Sequence, residues 1–173
     1  LAEWLSAKNM EVVRPPLRNF VMQCFVNSSV NEKNHIAKLG VMKRLMLFAA
    51  QKYMNSKIER ADRIKSKFKF ARKNSSIFEM ARGAEEILRL TNQFGEGWLI
   101  AAEIAEFARS GVNRVVCVQP FGCIANHVVA KGIERKIREL FPNLSVLFLD
   151  IDSSTAPVNL QNRLHFLIDE NFA

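Results

Sequence analysis

One stretch decides the fold of this chain: Arg114-Val-Val-Cys-Val-Gln-Pro-Phe-Gly-Cys-Ile-Ala-Asn-His127. Its first part, Val115 to Val118, is apolar and mostly β-branched without alternation, which is typical of a strand buried on both faces. Pro120 and Gly122 then predict a loop, and the residues after Cys123 have the spacing of a helix. The stretch therefore predicts a strand, a loop that carries a cysteine, and a helix.

The next part of the chain repeats this order of elements. The first helix is predicted from Ile124 to Leu140, and its inward positions are Ile124, Val128, Ile133, Ile137 and Leu140. A second buried strand is predicted at Val146 to Leu149, and Pro157 suits the first turn of a last helix. The order strand, helix, strand, helix implies parallel pairing. Residues 112–173 are therefore predicted to form a β-α-β-α, Rossmann-like unit.

The amino-terminal half is predicted to be helical. Apolar residues recur at helical spacing in four segments, at 30–54, 57–73, 75–90 and 98–108. Gly111 ends the last of them, because glycine takes the left-handed terminal conformation easily. Residues 1–29 are predicted as an irregular lead-in, in which Phe20 to Val26 forms a short strand or a buried helical turn. The predicted fold class is thus α/β, with a helical region at 30–111 ahead of the parallel unit at 112–173.

Length and composition indicate one compact soluble domain. The chain has 173 residues, of which 49% are hydrophobic, and its net charge of +8 is concentrated in the basic stretch 57–73. No apolar run approaches the roughly 20 residues of a membrane helix, and no secretory signal is recognised at the start. We therefore expect a cytoplasmic protein with no membrane partner. Because the first residue is Leu1 rather than methionine, we expect a segment of a longer polypeptide.

The three cysteines, Cys24, Cys117 and Cys123, are too few and too irregularly spaced for a disulfide framework. Cys117 lies within the predicted strand, where a cysteine packs as a small hydrophobic residue. Cys123 precedes a helix start, whose dipole favours a thiolate. Position alone leaves a structural and a functional role for Cys123 equally open.

Ligands of parallel sheets bind beyond the carboxyl ends of the strands. Gln119, Asn126 and Asp150 lie at that edge and are candidate cofactor-binding residues, although Asn126 could equally cap a helix and Asp150 could order its loop. Gly95 and Gly97 form a turn before a helix, which could expose N–H groups to an anion or simply make the turn. Neither nucleotide-binding fingerprint is complete, and no catalytic residue can be named.

The run from Cys117 to His127 belongs to an ordered set of motifs. It is preceded by Asn92-Gln-Phe-Gly-Glu-Gly-Trp98 and followed by Asp150-Ile-Asp152 and by Val158 to Arg163. Over about residues 90–168, this set resembles the carboxyl-terminal region of proteins related to the 2-hydroxyacyl-CoA dehydratases and their activators.

The resemblance implies an iron–sulfur protein with a cubane-type 4Fe-4S cluster, an ATP-dependent activator module in the same polypeptide and an acyl-CoA substrate. It implies Cys123 as a metal ligand and Cys117 as a lesser one. This chain has Ile124-Ala125 where the family pattern has leucine-proline, and no further ligand cysteines are recognised upstream. Since a cluster needs about four ligands, we expect the isolated chain to be inactive.

Two other functions fit the sequence. The basic helix predicted at 57–73 could belong to a noncatalytic binding module that docks an acidic partner or nucleic acid, although no nucleic-acid motif supports the second. Alternatively, the Gly95 turn and the two strand-end loops could form a CoA or nucleotide pocket without metal.

Overall fold

The computed structural model describes residues 1–69 and 75–168. In this part of the chain, the elements in order are α1 (Ala2–Ala7), α2 (Arg18–Lys33), α3 (Val41–Lys65), α4 (Ile77–Glu85), α5 (Trp98–Arg109), β1 (Arg114–Pro120), a π-helix (Ala125–Ala130), α6 (Glu134–Leu140), β2 (Ser145–Ile151) and α7 (Pro157–Ile168). The described elements ahead of β1 are all helices. The chain is therefore a mixed α/β protein with a helical amino-terminal half, as predicted.

β1 and β2 form a parallel pair, which confirms the predicted pairing. Their register runs from Arg114 opposite Ser145 to Pro120 opposite Ile151. One further backbone bond, from the N–H of Phe121 to the carbonyl oxygen of Ile151 (3.1 Å), follows the last pair. Both strands therefore end at the same edge, where the predicted ligand-binding loops begin.

Two core clusters hold the fold together, and α5 contributes to both. The first core cluster joins α5, β1, the π-helix, α6 and β2, and includes Ile104, Val115, Ile137 and Phe148. The second core cluster joins α2, α4 and α5 around Trp98, whose indole N–H donates to Asn27 Oδ1 at 2.7 Å. Because the two clusters share α5, this helix connects the helical half to the sheet.

The lead-in predicted as irregular is helical in two places, α1 and α2. The undecided segment Phe20 to Val26 lies within α2, and no strand forms there. Met22 and Val26, four residues apart, are both buried in the second core cluster. With Asn19 and Gln23, which are also buried, they follow the i, i+3, i+4, i+7 spacing of one helix face, whereas in a strand the neighbours Met22 and Gln23 would point to opposite faces.

The bounds predicted for the helices at 30–54 and 57–73 differ from those in the structure. The chain leaves α2 at Asn34, where the next residue, His35, takes a positive φ of 56°. An irregular link follows, and one continuous helix, α3 (Val41–Lys65), then includes residues 41–54 of the first predicted segment and 57–65 of the second. The end of the predicted basic helix, at 70–73, lies outside the described residues.

The helix predicted from Ile124 to Leu140 is divided into the π-helix and α6. Ile133 and Ile137 are buried as predicted, but Ile124 and Val128 are 66% and 65% exposed. A π-helix has i→i+5 hydrogen bonds and a wider turn, so an inward face deduced from α-helical spacing drifts out of phase along it. The prediction that Ile124 and Val128 face inward was therefore wrong, and so was that for Leu140, which is exposed at the end of α6.

Within the described ranges, none of the helices has both the length and the apolar character needed to cross a membrane.

Candidate functional site

The carboxyl ends of β1 and β2 carry the residues that the sequence predicted as a site. Gln119 in β1 lies opposite Asp150 in β2. The chain then turns through the cysteine loop, Pro120 to Ile124, in which the N–H of Cys123 donates to the carbonyl oxygen of Pro120 at 3.1 Å. Gly122 supports this turn with a φ of 80°, a conformation that is costly for other residues. The loop thus holds Cys123 directly beyond the end of β1.

His127 connects the cysteine loop to β2. Its Nδ1 lies 3.0 Å from the carbonyl oxygen of Cys123, and its Nε2 lies 3.3 Å from Asp150 Oδ1. A carbonyl oxygen only accepts hydrogen bonds, so Nδ1 carries a proton in this arrangement. The ring is thereby held between a backbone oxygen and a carboxylate. His127 thus joins the cysteine loop to β2, and its ring also meets the ring of Phe121 edge-on, with 6.3 Å between the centroids.

Asp150 also binds Lys131, whose Nζ lies 2.8 Å from Asp150 Oδ2. This hydrogen bond, with the positive charge of the same lysine, lowers the pKa of Asp150 below its ordinary value. Asp150 is therefore a carboxylate at neutral pH. It contacts two side chains, His127 and Lys131, of the helical segment that follows the cysteine loop. Neither His127 nor Lys131 was assigned a role in the site from the sequence. Both lie on the segment after the cysteine loop, four residues apart, so helical spacing carried a signal.

The two predicted metal ligands differ in their surroundings. Cys123 and Cys117 are both half-buried and pack against the first core cluster. Burial raises the pKa of Cys117 to about 11, with a smaller opposing effect from a hydrogen bond to Gln119 and small contributions from Glu103 and Glu96. Cys117 is therefore a neutral thiol at physiological pH, which agrees with the expected role in core packing.

The other predicted cofactor-binding residues have different positions. Gln119 is fully buried in β1, so its side chain belongs to the interior of the unit. Asn126 lies in the π-helix, and its side chain is outside the description. Asp152 accepts hydrogen bonds from the N–H and Oγ of Ser154, both at 2.8 Å, and from Thr155 Oγ1 at 2.9 Å. Asp152 therefore orders the loop ahead of α7.

Gly95 and Gly97 form the turn before α5, with φ values of 57° and 49°. A Cβ atom at Gly97 would collide with the carbonyl oxygen of Asn92, which accepts a hydrogen bond from the N–H of Trp98 at 2.8 Å. The turn therefore requires glycine for steric reasons. A Cβ atom at Gly95 would lie 3.3 Å from the Cβ of Ala125, so this turn lies beside the start of the π-helix.

The described residues contain no group of three or more histidine, cysteine, aspartate or glutamate side chains that could hold a metal ion. The third cysteine, Cys24, is exposed on α2. A cubane cluster needs about four ligands, usually thiolates. The part of the chain that the structure covers thus does not fit a complete cluster site and offers at most a partial one.

A separate cavity, which the sequence did not predict, lies against the amino-terminal segment, α2 and α5. It has a volume of about 1000 Å³, and its lining includes Asn19, Glu103 and Glu106. Burial raises the pKa of Glu103 to about 7, against the effect of a hydrogen bond that Asn19 Nδ2 donates to its Oε1 at 3.2 Å. The available signal was a pair of glutamates, Glu103 and Glu106, within the otherwise apolar segment Trp98 to Ala108.

Comparison of the chain with protein-family models, with curated proteins and with solved structures finds no match.

Proposed function

We propose that this chain is part of an iron–sulfur protein related to the 2-hydroxyacyl-CoA dehydratases and their ATP-dependent activators, to which it contributes a cysteine loop at a cofactor crevice. The observation that carries the proposal is the position of Cys123, half-exposed in a loop at the carboxyl end of a parallel strand pair. This is the edge at which Rossmann-like sheets bind their ligands. Thiolates are also the usual ligands of iron–sulfur clusters.

The proposal assigns one ligand to this chain and the others to residues outside the described part. Cys117 is a poorer ligand, because its burial disfavours the thiolate that a metal requires. Asp150, His127 and Lys131 act on the loop by holding its backbone and the following helical turn against β2. The chain alone is expected to have no dehydratase activity, and a CoA-ester reaction would belong to the complete assembly.

The test is anaerobic reconstitution of the chain with iron, sulfide and excess small-molecule thiol, which can supply the missing ligands. Iron content and visible absorbance are measured for the unchanged chain, for Cys123→Ser and for Cys24→Ser. Cys24 is the matched control, because it is an exposed cysteine on α2 and takes no part in the proposed site. The expected result is loss of most of the bound iron in Cys123→Ser, with Cys24→Ser unchanged.

Equal iron content in all three proteins would contradict ligation by Cys123, and so would an unchanged chain that binds no iron. A CoA or nucleotide pocket without metal is the second candidate, favoured by the proximity of Gly95 to Ala125 at the start of the π-helix. It predicts thermal stabilisation by CoA or ATP in the absence of iron, and this stabilisation should persist in Cys123→Ser.

A further inference from the structure

The first turns of α3 expose a group of large apolar side chains. Val41, Met42, Leu45, Met46, Phe48 and Tyr53 are between 61% and 83% exposed, and none of the 25 residues of α3 is buried. Single exposed apolar residues are normal on protein surfaces. Several on consecutive turns of one helix form a patch, and such patches mark interaction sites.

These side chains share one side of the helix. At about 100° per residue, Met42, Leu45, Met46, Ala49 and Tyr53 follow the i, i+3, i+4, i+7, i+11 pattern, and Val41 and Phe48 lie beside them. We refer to these seven residues as the docking face. The pattern is that of the anchor residues of a helix that binds in an apolar groove.

The opposite side of α3 is held by the rest of the protein. Met54 and Ile58 pack against the second core cluster, and Asp62 binds Arg18 with a distance of 2.8 Å between oxygen and nitrogen. At the other end, Arg44 pairs with Glu32 of α2. The helix is thus fixed mainly along its second half, while Met42, Leu45, Met46, Ala49 and Tyr53 point away from these contacts and Phe48, one turn after Arg44, lies at the edge of the docking face.

The charge around the docking face has a single sign. From Lys33 to Ile58, the sequence contains no aspartate or glutamate. The basic residues in this range are Lys33, Lys38, Lys43, Arg44, Lys52 and Lys57. Because Glu32 pairs with only one of them, Arg44, the surface is complementary to a partner that combines apolar contact with negative charge.

A second copy, nucleic acid and a membrane surface each fit this face poorly. A second copy would bring the same positive charges together. Nucleic acid takes its affinity from phosphate contacts and does not need methionine, leucine and phenylalanine anchors. A membrane-surface helix has one apolar face along its length, whereas the apolar side of α3 changes direction at Met54, which packs toward the core.

We propose that the docking face of α3 binds an apolar groove, rimmed by carboxylates, on a partner protein. This surface is distinct from the cysteine loop and from the basic stretch 57–73, and the interaction does not depend on the proposed iron–sulfur role. The apolar residues enter the groove, and the surrounding lysines meet its acidic rim. We therefore expect the affinity to depend on the apolar anchor residues and the association rate to depend on the salt concentration.

The probe is calcium-loaded calmodulin, an acidic protein with methionine-lined grooves that close when calcium is removed. Binding to the full chain is measured by calorimetry with calcium and with a chelator. The double variant Leu45→Gln with Phe48→Gln removes two anchors, and glutamine keeps helix propensity. Phe166→Gln on α7 is the matched control, because Phe166 is equally exposed and apolar but lies on another element.

The expected result is calcium-dependent binding that the double variant weakens roughly tenfold or more and Phe166→Gln leaves unchanged. Raising salt from about 50 to about 300 mM should weaken it several-fold. No binding to the probe, or equal binding by both variants, overturns the proposal. Binding only to phosphatidylglycerol vesicles, or self-association lost in the double variant, overturns it in favour of a membrane surface or a second copy.

Discussion

α3 and α5 contain similar kinds of apolar residues but have opposite surroundings. α5 has 12 residues, of which seven are buried, whereas α3 has 25 residues and none is buried. α5 lies between the two core clusters and has neighbours on several sides, while α3 contacts the rest of the protein along one side only. Helical spacing therefore predicts that a helix forms, but the topology decides how much of it is buried.

The largest expected effect comes from removing the side chain at the centre of the second core cluster. Trp98 has no exposed surface, and its indole N–H is bonded to Asn27. Trp98→Ala should lower the free energy of unfolding by about 3–5 kcal/mol, because it leaves a large cavity and an unsatisfied acceptor. Leu45→Ala, on exposed α3, should change it by less than about 0.5 kcal/mol.

Chemical denaturation monitored by circular dichroism measures the free energy of unfolding of both variants. A loss above about 1 kcal/mol in Leu45→Ala would show that the docking face is packed in the isolated chain, and the contrast between the two helices would not hold. A small loss in Trp98→Ala would contradict the central position of α5.

A smaller effect on stability is expected from Glu103, a buried carboxyl group on α5. Glu103 has its pKa raised by burial to about 7, well above the ordinary 4.5. Between these two values, the folded state keeps a proton that the unfolded state releases, so the free energy of unfolding should fall as pH rises from about 4.5 to about 7. The expected loss is on the order of 3 kcal/mol, because each pKa unit between 4.5 and about 7 corresponds to about 1.4 kcal/mol.

Glu103→Gln isolates this effect, since the amide stays neutral and its oxygen can still accept the hydrogen bond from Asn19. The stability of the two proteins is compared by denaturation at several pH values. Their difference should grow across this window in favour of Glu103→Gln. A difference that does not change with pH would mean that Glu103 titrates normally.

The sequence was most informative where a pattern has one structural interpretation. The apolar runs at Val115 and Val146 predicted the parallel strands, and Pro120 and Gly122 predicted the loop that places Cys123 at their edge. The link between α2 and α3 was missed because Ile36 and Leu39 continue a helical spacing although the backbone leaves the helix. The π-helix was missed because its wider turn has no distinct pattern in a short segment.

The site was predicted less completely than the fold for a related reason. Spacing along the chain located Cys123 and Asp150, but the contact of Asp150 with His127 and Lys131 joins elements that meet only after folding. Likewise, Asn19 and Glu103 are 84 positions apart. Tertiary contacts of this kind cannot be deduced from local periodicity, which reports only which face of an element is apolar.

The smallest predicted effects concern the helix starts, where α3 and α4 differ again. Ser76 accepts a hydrogen bond from the N–H of Glu79 (3.2 Å), and the Glu79 carboxylate accepts one from the N–H of Ser76 (2.8 Å), which forms a capping box. α3 begins at Gly40, which has no side chain to accept such a bond, although its backbone is extended and a Cβ atom there would contact nothing within 4 Å. Ser76→Ala should therefore lower the free energy of unfolding by about 1 kcal/mol.

Gly40→Ser should raise the free energy of unfolding by only a few tenths of a kcal/mol, because serine is only slightly better than glycine as the residue before a helix. Thermal unfolding measures the change in stability of both variants. A stabilisation by Gly40→Ser as large as the destabilisation by Ser76→Ala would show that the start of α3 limits the stability of the whole domain.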